Sequence, residues 1–289
     1  MASALVRQLI DSGIHYGHRV SRWNPKMKAY IFGKRNMIHI IDIRETVKGL
    51  LRARKFIAQV VARGEEVLFV GTKRQARHSI MDHARRAGMP FVSERWLGGT
   101  LTNFRTIRSR LARLEELETE ETTGKAASYS KKRQSRDNRE RRKIQRNLEG
   151  IRNMTRLPGA LVVVDVHREH NALREAKKLG IPTVCLIDTD SDPDYADIPI
   201  PGNDDAIRSI DTVLTHLADA AVEGKKARPV TAAEAPLEEA AAAPRRRRVP
   251  MSARAEGEFD PMKLGESIVP GELAAEEVAS SEAKSHAAL

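Results

Sequence analysis

Four aspartates alternate in Asp188-Thr-Asp190-Ser-Asp192-Pro-Asp194, directly after an apolar run, and two more stand together at Asp204-Asp205. Alternating carboxylates gather oxygen ligands of the kind that hold a hard divalent cation. The pattern lacks the glycine and terminal glutamate of an EF-hand, so that motif is excluded. A plainer reading competes with it: a strand-end loop followed by helix N-caps, where Asp is favoured. His15 and His18 are three residues apart, a spacing that could ligate a metal on a regular helix. The glycines at 13 and 17 argue against a helix there, so loop or capping histidines are the better reading of the pair. Gly71-Thr-Lys73 lies between a strand and a helix, where α/β folds bind phosphate. Yet there is no G-x-G-x-x-G and no Walker lysine motif. Lys73, with Arg74 and Arg77, could equally contact RNA phosphate. No nucleophile is paired with a base and no Gly-x-Ser-x-Gly elbow is present. An enzyme reading therefore rests on fold alone.

The strongest chemical signal is charge. Lys and Arg number 50 against 39 Asp and Glu, a net +11. Sixteen basic and only eight acidic residues fall in 105–156, whereas 227–289 holds eight basic and eleven acidic. Within 131–143, eight of thirteen residues are basic. Positive charge concentrated on one excursion points to a polyanion, most often nucleic acid. Aromatic residues are only 4%, which weakens a case for single-strand binding by successive base stacking. The one cysteine, Cys185, sits in an apolar run and reads as a small core residue in a reducing cytosol. No signal-peptide pattern opens the sequence, and no apolar run approaches the ~20 residues that span a bilayer.

Strands alternating with helices must position these residues. The pattern predicts a helix over 4–10, a turn-rich stretch over 11–27, a strand at 37–41 and a helix from 43 to 61. It continues with strands at 66–70 and 89–92 around a helix at 75–87 ending on Gly88. After the excursion come strands at 160–164, 181–187 and 198–201, and helices at 169–179 and 204–222. Near-continuous apolar runs fit strands buried on both faces of a largely parallel sheet. In the excursion, Phe104, Ile107, Leu111 and Leu114 form one stripe, and Ile144, Leu148, Ile151 and Met154 another. Such stripes pack as an antiparallel coiled-coil hairpin. The stretch between them, 125–143, is almost devoid of apolar residues and reads as an exposed tip, a candidate for ordering on binding. Arg95-Trp-Leu-Gly-Gly-Thr-Leu-Thr-Asn-Phe104 is the junction, with Thr100 or Thr102 as candidate cap and Trp96 as a packed hinge residue. The organisation expected is an α/β globular core over 1–104 and 157–226, an inserted basic hairpin over 105–156, and a disordered tail over 227–289.

The assembled pattern resembles the bacterial small-subunit ribosomal protein S2 family over residues 4–224. The resemblance is carried by Gly13-Ile-His15-Tyr-Gly-His18, Trp23-Asn-Pro25-Lys-Met27, the junction decapeptide, and Ile198-Pro-Ile-Pro-Gly-Asn-Asp-Asp-Ala206 with Arg208-Ser-Ile210. It implies a flavodoxin-like three-layer α/β/α core with a parallel sheet, plus the inserted coiled-coil hairpin. It implies a structural role in the small subunit, with 16S rRNA, other small-subunit ribosomal proteins and ribosomal protein S1 as partners. It implies no catalysis, no required cofactor, no membrane and no small-molecule substrate. Some relatives hold a divalent ion near positions matching His18, Asp188 and Asp205, so magnesium or zinc is a candidate there. The RNA-contact candidates are Lys73, Arg74, Arg95, Lys131, Lys132, Arg133, Arg136, Arg139, Arg141 and Arg142. Two readings compete: a nucleotide-binding α/β enzyme using the strand ends near Gly71 and Asp188, and a coiled-coil scaffold that binds only proteins.

Overall fold

The computed structural model describes residues 2–228. The expected tail from 229 onward lies outside the described residues. Helix α1 (Ala2–Asp11) leads into strand β1 (Tyr16–Arg19), two short 3-10 turns, and strands β2 (Ile31–Arg35) and β3 (Ile38–Ile41). These three strands form a separate antiparallel sheet in the order β1-β3-β2. This differs from the expectation, which placed a lone strand at 37–41, with a turn-rich stretch over 11–27 and no strand before it. The runs are short and broken by Gly17 and Gly33, so no alternation long enough to signal a strand survives in the sequence.

The remainder follows the predicted alternation. Helix α2 (Ile43–Ala62) is capped by Asp42, whose side chain accepts from Arg44 N at 2.9 Å. Strand β4 (Val67–Val70), helix α3 (Arg77–Ala87) and strand β5 (Phe91–Val92) follow, then the arm. After it come β6 (Ala160–Val164), α6 (His170–Leu179), β7 (Thr183–Ile187), β8 (Ile198–Pro201) and α7 (Ile207–Lys226). The main sheet is parallel throughout, in the order β5-β4-β6-β7-β8. That is the flavodoxin-like order, with its switch point between β4 and β6.

Both faces of the sheet are covered. Val67, Phe69, Val162, Val164, Val184 and Leu186 pack under α1, α2, α3 and α7. The alternate residues Leu68, Val70, Leu161, Val163, Cys185 and Ile187 pack under α6 and the root of the arm. Cys185 is fully buried, and burial pushes its thiol pKa up to about 12, so it acts as a small apolar filler. Gly88 and Gly180 end α3 and α6 in the left-handed conformation that glycine adopts without strain.

The arm consists of α4 (Phe104–Thr122) and α5 (Lys131–Leu148). Ile107, Leu111, Leu114 and Leu117 are the buried face of α4. Ile107, Leu111, Leu148, Ile151 and Met154 belong to the core cluster under the sheet, so the arm is rooted in the globular body. The basic stretch 131–143, expected to order only on binding, is already helical. Ser130 caps it, and the Arg133 guanidinium lies over the Tyr129 ring at 3.5 Å. An ion pair across the helices, Arg141–Glu121 at 2.6 Å, and one from Arg152, just beyond α5, to Glu118 of α4 at 2.7 Å brace the hairpin.

Candidate functional site

The carboxyl ends of the parallel strands, where such sheets hold ligands, meet at one ionic pole. β4 delivers Thr72 and Lys73, β6 delivers Asp165, β7 delivers Asp188 and Asp190, and β8 delivers Asp204 and Asp205. His18 comes from β1, on the antiparallel sheet. The close approach depends on Gly17, because a Cβ there would meet Thr189 at 2.7 Å.

Within the pole, His18 Nδ1 stands 3.0 Å from Asp188 Oδ2 and His18 Nε2 stands 3.3 Å from Asp205 Oδ2. The Nδ1 contact is out of line for a formed hydrogen bond, leaving that buried nitrogen without an in-line partner. Lys73 Nζ lies 2.8 Å from both Asp204 and Asp205 and 3.3 Å from Asp165. The three residues expected to share a metal are therefore brought together. The tightest donor set differs by one residue: His18, Asp188 and Asp204 place ligand atoms within 4.8 Å of one another. Asp204 is 2% exposed, whereas the Asp205 side chain is 50% exposed. Asp204 was missed because two adjacent acids look equivalent in sequence, and only the turn decides which points inward. The expected N-cap role of the pair does not hold. Asn203 Oδ1 instead accepts from Asp205 N at 2.8 Å and Ala206 N at 2.9 Å, which leaves both carboxylates for the pole.

The electrostatics are set by burial among like charges. Desolvation, then repulsion from Asp165 and Asp188, raises Asp204 to about 7. Contact with Asp188, then the other acids, raises His18 to about 9 against the opposing effect of burial. Burial acts to lower the Lys73 pKa, but Asp204 and Asp205 outweigh it and raise it. One imidazole nitrogen lacking an in-line partner and a surplus of carboxylates form a donor set that fits a divalent cation. The alternating acids divide: Asp188 and Asp190 face the pole, while Asp192 and Asp194 bind Lys26.

The same geometry closes the strand-to-helix position Gly71-Thr-Lys73, where α/β folds bind phosphate. Glu169 Oε1 accepts from Thr72 N at 2.8 Å, and the Arg168 guanidinium donates to Thr72 Oγ1 at 3.0 Å. The amide that would cradle a phosphate is occupied by the protein's own carboxylate. Lys73 is likewise enclosed, 12% exposed, so its charge is not displayed to RNA as the sequence suggested. A strand-end crevice lined by aspartates repels a nucleotide phosphate.

The RNA-contact candidates on α5 sort by helical face. Asp137, Arg141, Ile144 and Leu148 follow four-three-four spacing and form the inner face. Arg141 is half-buried there against Glu121. Arg133 and Arg136 each approach Asp137 at 3.4 Å. Lys131, Lys132, Arg139 and Arg142 are exposed and have no carboxylate partner among the described residues. Extending the Ile144–Leu148 stripe backward by four and three residues would have found Arg141 and Asp137 on the inside. Arg74 and Arg95 are exposed on loops of the body.

At the junction, Glu175 of α6 holds the arm's entry. Its carboxylate accepts from Trp96 Nε1 at 3.0 Å, Gly99 N at 2.8 Å, Leu101 N at 3.0 Å and Thr102 N at 3.1 Å. Gly99 at φ +87 makes this turn in a conformation suited to glycine. The expected threonine cap is absent; α4 starts after Asn103 with no side-chain cap bond. Trp96, 9% exposed, is the packed hinge residue expected of it.

Residues 9–224 match the family model described as Ribosomal protein S2. The chain is 59% identical to the small ribosomal subunit protein uS2 of Rhodopirellula baltica over 78% of this chain and 86% of that one. It is 51% identical to the uS2 of Syntrophobacter fumaroxidans over 78% of this chain and 82% of the other. It is 49% identical to the uS2 of Mycobacterium leprae over 79% of this chain and 82% of the relative. A parallel core in flavodoxin-like order, an arm inserted between β5 and β6, and a match spanning nearly all of that core together place this chain in the ribosomal protein S2 family.

Proposed function

We propose that the protein is a structural constituent of the small ribosomal subunit, docked on 16S rRNA through the outward face of α5 and exposed cations of the body. The observation that carries this reading is the sorting of charge on α5. Carboxylates neutralise the inner face, while Lys132, Arg136, Arg139 and Lys143 follow the four-three-four spacing of one exposed face. Over eleven residues that face extends roughly 16 Å. A rigid row of cations suits the phosphates of double-helical RNA, whose base edges lie hidden in a narrow groove. Affinity then comes mostly from phosphates, and specificity from shape. The role needs no catalytic step.

Contacts with neighbouring small-subunit proteins, ribosomal protein S1 among them, belong to the same proposal and are supported by the family resemblance. A divalent ion is proposed at His18, Asp188 and Asp204, with Asp205 at the rim. When bound it would tie β1 to the loops after β7 and β8 and offset their carboxylates. His18 and Asp188 already hold those segments together, and Lys73 supplies part of the balancing charge. Elemental analysis of the purified chain, with and without Asp188→Ala and Asp204→Ala, tests this. Equal metal content in all three would remove the site.

The decisive experiment for the main reading is co-sedimentation with small subunits that lack this chain, followed by crosslink mapping to RNA. Crosslinks from α5 to 16S rRNA are expected. Saturable binding of a mononucleotide at the strand ends, without subunit association, would reverse the reading in favour of an enzyme. Association that survives neutralisation of the arm's outward face would favour a protein-only scaffold.

A further inference from the structure

The outward face of α5 carries a free hydroxyl among its cations. A shallow depression there is lined by Ser130, Lys132, Arg133, Ser135, Arg136 and Arg139. Ser130 is engaged as the N-cap, its side chain accepting from Arg133 N. Ser135 is exposed, and its hydroxyl has no hydrogen-bond partner among the described residues. Hydroxyls on α4 instead bond back to their own helix, Ser109 to Thr106 O at 2.8 Å and Thr119 to Glu115 O at 2.7 Å. The surroundings of Ser135 suit a phosphate group. Lys132 stands three residues before it and Arg139 four after, the spacings that bring side chains together on a helix. Neither has a carboxylate partner among the described residues. Arg133 and Arg136 share Asp137, each at 3.4 Å. Glu121 and Glu140 are already paired, with Arg141 at 2.6 Å and Arg110 at 3.8 Å. Four cations beside one uncommitted acid therefore accept a phosphomonoester, of about two negative charges, without reversing the sign of the depression.

Sequence and packing both open Ser135 to a protein kinase. Among all serines and threonines of the 289 residues, only Ser135 has Lys or Arg at both the third and the second position before it, Lys132 and Arg133. Kinases that prefer basic substrates read cations at such positions through complementary charge. A kinase takes its substrate extended, so the first turns of α5 must open. The buried residues of α5 are Asp137 and Leu148 alone, so its amino-terminal half has almost no apolar contact to lose. What opening breaks there is local: the Ser130 cap and the stacking of Arg133 on Tyr129.

We propose that Ser135 is a phosphorylation site, and that its phosphate, held by Lys132 and Arg139, withdraws the cations that the outward face of α5 offers to RNA. This rests on the proposed docking to 16S rRNA and names a regulation of the same face. In the step, Ser135 Oγ attacks the γ-phosphorus of a nucleoside triphosphate. The new O–P bond forms as the bond to the β-phosphate oxygen breaks. The hydroxyl proton passes to the kinase's catalytic carboxylate, and a nucleoside diphosphate leaves. Charge-assisted hydrogen bonds from Arg139 and Lys132 then close on the phosphomonoester. Two cations of the row are neutralised from within, and RNA phosphate meets a like charge. Docking covers Ser135, so the modification acts on the chain before it docks.

The test compares the full-length chain, Ser135→Ala, and the full-length chain carrying phosphoserine at 135 by translational incorporation. With small subunits assembled without this protein, the phosphorylated chain should bind with a salt slope lower by about 1.4 to 1.8, for two lost phosphate contacts. Ser135→Ala should keep the unmodified slope. Phosphorus NMR of the free phosphorylated chain should place the second phosphate pKa below its ordinary value of about 6. Lys132→Gln with Arg139→Gln should return it there. In a third arm, the unmodified chain meets ATP and the catalytic subunit of cyclic-AMP-dependent protein kinase. Mass spectrometry should find phosphate on Ser135 of the free chain, and binding to subunits should protect that residue. An unmodified slope in the phosphorylated chain, an ordinary phosphate pKa, or no phosphate on Ser135 overturns the inference while the docking stands. If the unmodified chain does not bind small subunits at all, the docking fails and takes the regulation with it, even where the phosphate is taken up and clamped.

Discussion

The strand-end pole and the arm draw on the same charged residue types and use them in opposite ways. In the pole, Lys73 and His18 are enclosed among five aspartates, and the charges face each other. In the arm, Glu121 neutralises the inner guanidinium of Arg141, and the outer cations face solvent, Arg133 and Arg136 with Asp137 beside them. The difference teaches that basic residues serve cohesion where the fold surrounds them with carboxylates and stay free, as the proposed RNA docking requires, where one helix face lacks them. A removed charge should therefore show up as lost stability in the first region and lost binding in the second.

The pole offers the largest effect. Lys73→Met should destabilise the fold by about 3–5 kcal/mol, because it strands Asp165 and Asp204 as buried, uncompensated acids. Arg74→Gln, one residue along but exposed, should stay within about 0.5 kcal/mol. Urea unfolding reads both, and equal midpoints would erase the distinction between enclosed and displayed cations. In the arm the pattern should invert. Arg139→Gln with Arg142→Gln should leave the unfolding midpoint in place and lower the salt slope of subunit binding by about 1.4 to 1.8. Arg141→Gln, on the inner face, should change the slope little, so a slope loss matching that of Arg142→Gln would contradict the sorting by face.

The smallest effect tests the joint between the two regions. Burial acts to raise the Glu175 pKa, but the Trp96 indole and the amides of Gly99, Thr102 and Leu101 outweigh it and hold the group below its ordinary value. A depressed carboxylate contributes stability above the unfolded pKa of about 4.3 and loses it as pH falls through the folded value. Trp96 emission, read in a Trp23→Phe background, should therefore titrate with a midpoint below about 4.3. In Glu175→Gln the transition should vanish. A midpoint at or above 4.3 would mean that the carboxylate does not hold the junction.

The parallel core was legible because its strands are continuous apolar runs and its helices end on glycines, both local signals. The family was legible from motifs whose spacing survives in one dimension. Of the antiparallel sheet only β3 was legible, in the apolar run at 37–41; β1 and β2 were not, since glycines and charged residues break up their runs. The candidate site was legible in part. His18, Asp188 and Asp205 do converge, yet the inward turn of Asp204 is set by its loop, and Glu169 closes the Thr72 amide from 97 positions away.

The sequence alone determined the charge inventory, the alternation that makes a three-layer sheet, and the excursion of cations between two apolar stripes. Composition and periodicity act over a few residues, so they are fully written in the chain. Tertiary structure alone decided which of those cations remain free. Pairing depends on a carboxylate arriving within about 4 Å from a distant element, and burial changes its strength several-fold. Lys73 and Arg142 look alike in the chain; only the folded chain encloses one among aspartates and leaves the other facing solvent.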